Sequence, residues 1–511
     1  MHSRLRVQSP NIQIVDKHIL ASYLYNYAEV EKTNDHFEVI PKHIKYTFKT
    51  DLQVPKVGIM LVGWGGNNGT TVTAGLIANK KRICWETKKG TKEPNWYGSI
   101  TQSSTTKIGV SGKKEIYMPL KEILPLVDPN DLCISGWDIS SMNLADAMKR
   151  AAVIDYELQS RLQEHMKNLV PLPGLYYSDF IALNQKERAN NVLPGVNKSE
   201  HLAKIRQDIK DFKATNNLTK VLVLWTANTE RYCEVQEGVH DSAENFLKAI
   251  ERNEAEVSPS SIYATAAILE GCSFINGSPQ NTFTPGLIEL AQMKEVFIVG
   301  DDFKSGQTKF KTALTEFLVG AGIKPVSIVS YNHLGNNDGY NLSSEKQFKS
   351  KEISKSSCVD DILKSNDILY EEDHHIDHTV VIKYNPSTGD TKKALDEYTS
   401  EIFLGGAHTL SLYNVCEDSL LAAPIILDLL LLTEIFERIT WKKEGKPEYK
   451  KFHSILSTLG YLCKAPLTDS KAPLINALSR QKAGIENIFK ICAGLPTDDN
   501  LLLEYRCNFT I

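Results

Sequence analysis

Apolar residues along this chain cluster in short, β-branched runs that end abruptly in polar or glycine-rich turns. Val57–Gly63 leads into a GGNNG turn, Leu132–Ser135 into GWDIS, and Val221–Trp225 into TANTER. Val296–Val299 leads into GDDFKSGQT and Val326–Ser330 into YNHLGNNDGYN. Runs without polar alternation predict strands buried on both faces. Between them the spacing predicts helices over 144–163, 199–213, 241–253, 285–291 and 309–318. Strands alternating with helices predict an α/β fold with a mostly parallel sheet. Ligands in such sheets sit beyond the carboxyl ends of the strands, so the polar turns are expected to line one site.

Past about residue 325 the pattern changes to a Gly/Asn-rich loop, a basic segment from Lys346 to Lys355, a charged stretch from Glu371 to His378, and a strand-like run, Thr379–Tyr384. This predicts a second domain, followed by a C-terminal part that is helical by pattern. The most apolar stretch, Leu420–Phe436, contains Pro424, Asp428 and Glu434 and falls short of the roughly 20 residues a bilayer span requires. It predicts a buried helix.

A length of 511 residues predicts two to four domains. Lys and Arg total 58 against 62 Asp and Glu, a net charge of -4 that argues against nucleic acid and anionic membrane as partners. No apolar run follows the arginines of MHSRLRVQSPNIQIV, so no secretory signal is expected. The nine cysteines form no C-x-x-C pair, and several sit in apolar runs, as in Ile83-Cys84-Trp85. Reduced, packed thiols in a cytoplasmic protein are expected.

Four segments carry candidate chemistry. Gly63-Trp64-Gly65-Gly66-Asn67-Asn68-Gly69 lies between a predicted strand and a predicted helix, where glycines let the backbone approach a pyrophosphate and the helix end supplies amide donors. It departs from G-x-G-x-x-G, because Asn68 holds the sixth place and glycine comes one later. The acid that would hold the ribose is either Glu86, by spacing, or Asp138, at the end of another predicted strand. GDDFKSGQT fails as a P-loop, since Gln307 stands where lysine is needed; the plain alternative is a strand-to-helix turn capped by Asp. Lys351 and Lys355 share a helix face at a spacing of four, which suits a solvated basic face, a phosphate site or a proton carrier. Nearby Asn332, Asn336, Asn337 and Asp338 suit a polyhydroxylated ligand. Asp373-His374-His375-Ile376-Asp377-His378 has no metal-ligand spacing and is expected to be a solvated loop, so no metal is predicted.

Together with SGWDIS, LWTANTERY, NGSPQNTF, SKEISKSS, DEYTSEIFLGG, CEDSLLAAP and LCKAPL, these segments closely resemble the inositol-3-phosphate synthases of eukaryotic type, also called myo-inositol-1-phosphate synthases. The resemblance runs in order from about residue 50 onward. It implies NAD-dependent conversion of D-glucose 6-phosphate to 1D-myo-inositol 3-phosphate by oxidation at C5, enolisation, intramolecular aldol closure and re-reduction. It implies a Rossmann-type NAD-binding domain with an inserted α/β catalytic and tetramerisation domain, in a homotetramer. The expected divisions are an N-terminal arm over 1–50, the NAD-binding domain over 51–308, the catalytic domain over 309–415, and a returning C-terminal part over 416–511.

The residues implied as catalytic are Lys351, Lys355, Lys392, Lys464, Asp302, Asp338 and Asn336, with Lys392 and Lys393 alternatives for one place. Those implied for NAD are Gly65, Gly66, Asn67, Asn68, Asp138, Gln185, Arg188, Thr226, Ala227, Asn228 and Thr229, then Gly277, Ser278, Asp302, Ser305, Asn336, Asn337, Asp338, Lys351, Gly389, Asp390, Asp418 and Ser419. Gly174 stands where the family often has Ser, so only a backbone contact is expected there.

Overall fold

The computed structural model describes residues 5–112, 114–356, 358–371 and 375–498, with the side chains of 355 and 356 also outside the description. Six parallel strands form the central sheet: Val57–Val62, Cys133–Asp138, Leu172–Pro173, Lys220–Trp225, Phe274–Asn276 and Ile298–Val299. Numbered along the chain, they are ordered 3-2-1-4-5-6, the Rossmann order. The order reverses between Val57–Val62 and Lys220–Trp225, which pair in parallel from Val57↔Lys220 to Val62↔Trp225.

Unbroken hydrophobicity in these strands follows from burial on both faces. Ile59, Leu61, Leu222 and Leu224 enter one apolar core, packed on helices Asn67–Lys81 and Asp418–Glu437. Met60, Val62, Val221 and Val223 enter the other, against helices Lys198–Thr215 and Pro259–Leu269. The segment 144–163 forms two helices, Leu144–Ala151 and Tyr156–Met166, because Ala152 turns into the left-handed region at φ 50° and stops the first.

The Asp418–Glu437 helix is the apolar stretch expected from the sequence. It is long and apolar enough to cross a membrane by composition, yet Ile426, Leu429, Leu430, Leu431, Leu432 and Ile435 are buried in the protein. Each such side chain contributes about 1.5–3 kcal/mol relative to exposure. Pro424 removes one backbone donor without ending the helix. Buried Asp428 accepts hydrogen bonds from Ser99 Oγ, Thr101 Oγ1 and the amides of Ile100 and Thr101.

A second sheet runs Asp377–Tyr384, Lys324–Leu334, Thr391–Ile402, Gly406–Glu417 in spatial order, parallel in the first pair and antiparallel thereafter. A third, antiparallel sheet joins Ile12–Val15, His18–Lys32 and Phe37–Asp51 to Ile439–Lys443. The C-terminal part is thus less helical than its pattern predicts: a strand and irregular chain separate Asp418–Glu437 from the helix Leu478–Cys492. The strand Ile439–Lys443 finds its partner some four hundred residues earlier, a pairing that local periodicity does not carry.

Candidate active site

The central and second sheets and the head of the Asp418–Glu437 helix line one cavity. It opens at the carboxyl ends of Val57–Val62 and Lys220–Trp225, the position at which the strand order reverses.

The glycine-rich turn is built for close approach. Gly63 has φ 85°, and a Cβ there would lie 2.6 Å from Ala227 Cα. Gly69 is needed one place later than in the usual spacing because its own Cβ would lie 2.2 Å from the carbonyl oxygen of Trp64. Helix Asn67–Lys81 starts behind Gly66 with no side chain capping its amides, which leaves donors and the positive end of its dipole facing the cavity. Asp138 ends its strand in the cavity wall, where Oδ1 accepts from Ser140 N at 2.9 Å and from Arg188 Nη2 at 3.5 Å. Glu86, the other candidate, is exposed on a small separate hairpin with Thr91 on its carboxylate. Thr226 Oγ1 and Arg188 Nε are buried without partners at the same place. This donor set fits a dinucleotide.

Hydrogen bonds tie this half to the second sheet and its helices. Asn337 Nδ2 donates to Gln185 Oε1 at 3.1 Å and Asn228 Oδ1 at 3.2 Å. Thr229 donates through N and Oγ1 to Asp338 Oδ1, both at 3.3 Å. Asn67 Nδ2 donates to Asp390 Oδ1 at 3.2 Å, while Ser419 N and Oγ donate to the same carboxylate. Asn336 caps the short helix Asn337–Asn341 through its side chain.

The far end of the cavity is cationic. Asp302 Oδ1 accepts from Lys351 Nζ at 2.9 Å and Lys464 Nζ at 3.3 Å. The backbone of Lys464 also donates to the Asp302 carbonyl at 2.7 Å, so the two segments are pinned together. Burial raises Asp302, but the two ammonium groups outweigh it and bring the carboxyl down to about 2. Burial lowers Lys351, but Asp302 and Asp338 more than reverse this and hold it above the usual lysine range. Lys464 goes the other way: burial lowers it, Asp302 offsets only part of that, and repulsion from Lys351 and Lys392 leaves it at about 7.

Strand alternation puts Lys392 and Lys393 on opposite faces. Lys392 is buried on the covered face and lines the cavity, whereas Lys393 is exposed on the other face. Asp302 does not cap a helix: the helix Gly306–Gly320 has Ser305 at its N-cap, with no side-chain capping bond. Asp301 beside it is half-buried, with its carboxyl held well above the usual range by desolvation, and it accepts from Asn276 Nδ2 at 2.6 Å.

Of the residues expected at the site, Gly66, Asn67, Asn68, Asp138, Arg188, Thr226, Ala227, Asn228, Thr229, Gly277, Ser278, Asp302, Ser305, Asn336, Asn337, Asp338, Lys351, Lys392, Asp418, Ser419 and Lys464 line this cavity. Gln185 and Asp390 stand behind it, bonded to Asn337 and Asn67. Gly65 lies against Asp138, and Gly389 precedes Asp390 with φ 57°. The Lys355 side chain, Asp373 and His374 lie outside the described residues. His378 meets Lys311 Nζ at 2.8 Å, and no metal-binding group of three His, Cys, Asp or Glu occurs among the described residues.

Several contributors were not anticipated. Arg150 Nη2 donates to the Gly65 carbonyl at 2.6 Å, and Ser354 Oγ donates to Asp302 Oδ2 at 3.0 Å. Phe303 lines the cavity and occupies the space a Cβ on Gly277 would need, 2.0 Å from its Cζ. Gly174, where the sequence predicts a backbone contact, also lines the cavity, and a Cβ there would sit 3.0 Å from the Asp138 carbonyl carbon. Of Arg150, Ser354 and Phe303, only Ser354 had a sequence signal, its i+3 spacing from Lys351.

Comparison with known proteins is uniform. A family model described as myo-inositol-1-phosphate synthase matches residues 57–490. Inositol-3-phosphate synthase of Dictyostelium discoideum is 54% identical over 507 residues, covering 99% of each chain. That of Spirodela polyrhiza is 56% identical, covering 98% of this chain and 99% of its own. The crystal structure of inositol-3-phosphate synthase from Caenorhabditis elegans superposes with a TM-score of 0.97 at 50% identity, covering 99% of both chains.

Proposed function

The chain belongs to the myo-inositol-1-phosphate synthase family, and on that premise we propose how its cavity performs the family's reaction. The protein is an NAD-dependent isomerase that converts D-glucose 6-phosphate to 1D-myo-inositol 3-phosphate with no net redox change. Bound NAD supplies the chemistry of hydride removal from C5 and its return.

The dinucleotide would be held by the amides behind Gly66, by Asn67 and Asn68, by Asp138 as the acceptor for ribose hydroxyls, and by Thr226–Thr229 with Gly277 and Ser278. The phosphate of the sugar meets the uncapped start of Gly306–Gly320 and the ammonium of Lys392, which has room to face the cavity. This fixes C5 and C6 toward Asp302 and its lysines.

The observation that carries the mechanism is one carboxylate oxygen shared by two lysines of opposite tendency. Lys464, near 7, is neutral in a large fraction of molecules, so its Nζ accepts the proton that leaves C6 and gives it to the C1 oxygen as C6 closes onto C1. Lys351, held cationic, faces the oxyanion that develops on the C5 carbonyl oxygen when the C6 proton leaves. Asp302 stays anionic throughout and keeps both amines in place. Lys355, implied as catalytic by the family resemblance, is kept in this proposal as a further lysine of the reaction. Closure of C6 onto C1 needs the sugar coiled, a geometry favoured by the cavity walls and the phosphate anchor.

Incubation with glucose 6-phosphate and a catalytic amount of NAD tests this. Inositol phosphate without NADH accumulation is expected; stoichiometric NADH with no cyclised product would identify a simple dehydrogenase instead. We further propose a cytoplasmic homotetramer. The outer face of the second sheet supports this, since it presents exposed Tyr331, Leu395 and Tyr413 as one cross-strand row.

A further inference from the structure

A carboxylate that serves two ammonium groups has two oxygens to offer, with about four lone-pair directions between them. One oxygen per lysine would separate the positive charges most. Asp302 is arranged otherwise. Lys351 Nζ at 2.9 Å and Lys464 Nζ at 3.3 Å both converge on Oδ1, while Oδ2 accepts from Ser354 Oγ at 3.0 Å. All four side chains are nearly or fully buried.

The sequence reason is spacing. Ser354 lies three residues after Lys351 on the helix Glu345–Ser356, which puts both over the same patch of the neighbouring loop. Serine inside a helix commonly turns its hydroxyl back to its own backbone. Here it reaches across to Asp302 instead.

We propose that Ser354 is a positioning residue for the cyclase reaction: by holding Oδ2 it fixes the rotation of the Asp302 carboxylate so that Oδ1 faces both Lys351 and Lys464, and so keeps Lys464 the more weakly held amine, free to carry protons. The inference rests on the reading above in which Lys464 is the proton carrier. The charged groups that face Lys464 are Asp302 from the loop, Lys351 from the helix, Lys392 from the strand Thr391–Ile402, and Asp418 at the head of the long buried helix. Asp338 acts on the cluster through Lys351. Removing the serine hydroxyl changes none of these charges. It frees the carboxylate to turn, so that each lysine can take its own oxygen, and Lys464 then holds its proton more tightly.

The test is the pH dependence of turnover in Ser354→Ala, Ser354→Cys and Ser354→Thr, with NAD affinity measured by protein fluorescence on the same samples. In Ser354→Ala the rising limb of the profile is expected to move up by about one pH unit. Activity should fall about tenfold below that limb and recover toward the wild-type value above it. Ser354→Cys, a weaker donor, should move the limb in the same direction, and Ser354→Thr, which keeps the hydroxyl, should restore it. NAD affinity should stay within twofold in all three. Superimposable profiles, a uniform loss at every pH, or a threonine variant that behaves like alanine would overturn the proposal. If the wild-type protein turns over normally in that case, the assignment of Ser354 alone is wrong; if the wild type makes no inositol phosphate, the functional reading itself fails.

Discussion

Lys351 and Lys464 have the same side chain and share one oxygen of Asp302, yet burial and neighbours drive them apart. Lys464 at about 7 must lose its proton before it can act as a base, so turnover should rise with pH through about 7 and level off above it; a pH profile of kcat/KM checks this. Asp302, held at about 2, contributes no limb in that range. Lys351→Ala should lower turnover by about a hundredfold or more by removing the cation beside the developing oxyanion. Its NAD affinity should stay within a few fold, because the dinucleotide loop is untouched. Near-wild-type turnover in that variant would exclude the role given to Lys351. The pair of lysines in SKEISKSS was visible as a spacing, but a spacing cannot tell a solvated face from a buried one. What distinguishes them is Asp302, almost fifty residues away in sequence, and Lys464, more than a hundred residues beyond.

At the scale of elements, turns decide the site and helix ends fill it. The dinucleotide loop was legible because its glycines answer local needs: a left-handed turn at Gly63 and a close pass to Trp64 at Gly69. Gly277 answers a distant one. A Cβ there would lie 2.0 Å from Phe303 Cζ, so Gly277→Ala should push Phe303 into the cavity and weaken NAD binding by about tenfold or more, measurable by fluorescence titration. The helix Asp418–Glu437 reads as buried from its composition, but Asp428 in its centre does not explain itself from sequence. It serves as the acceptor for Ser99, Ile100 and Thr101. Asp428→Ala strands those buried donors at about 1–3 kcal/mol each, and calorimetry should show a melting temperature lower by several degrees.

On the scale of the whole molecule, the cavity exists only where two sheets and a returning helix meet, held by Asn337 on Gln185 and Asn228, Thr229 on Asp338, and Asn67 on Asp390. The apolar row Tyr331, Leu395 and Tyr413 on the outer face of the second sheet is the surface at which copies of the chain are proposed to join. Tyr413→Asp should dissociate the assembly, read as a drop in sedimentation coefficient; an unchanged value would place the contact elsewhere. The sequence by itself determined what depends on near neighbours: the parallel α/β sheet, from unbroken apolar runs; the glycine turn, from its place between strand and helix; the family, from its ordered blocks. It did not determine the pairing of Ile439–Lys443 with Phe37–Asp51, the placing of Asp138 rather than Glu86 in the cavity wall, or the orientation that buries Lys392 and exposes Lys393. Those were decided by tertiary structure. Proton affinity and ligand contact depend on which charges share a low-dielectric space, and that is a property of distance through the fold rather than along the chain.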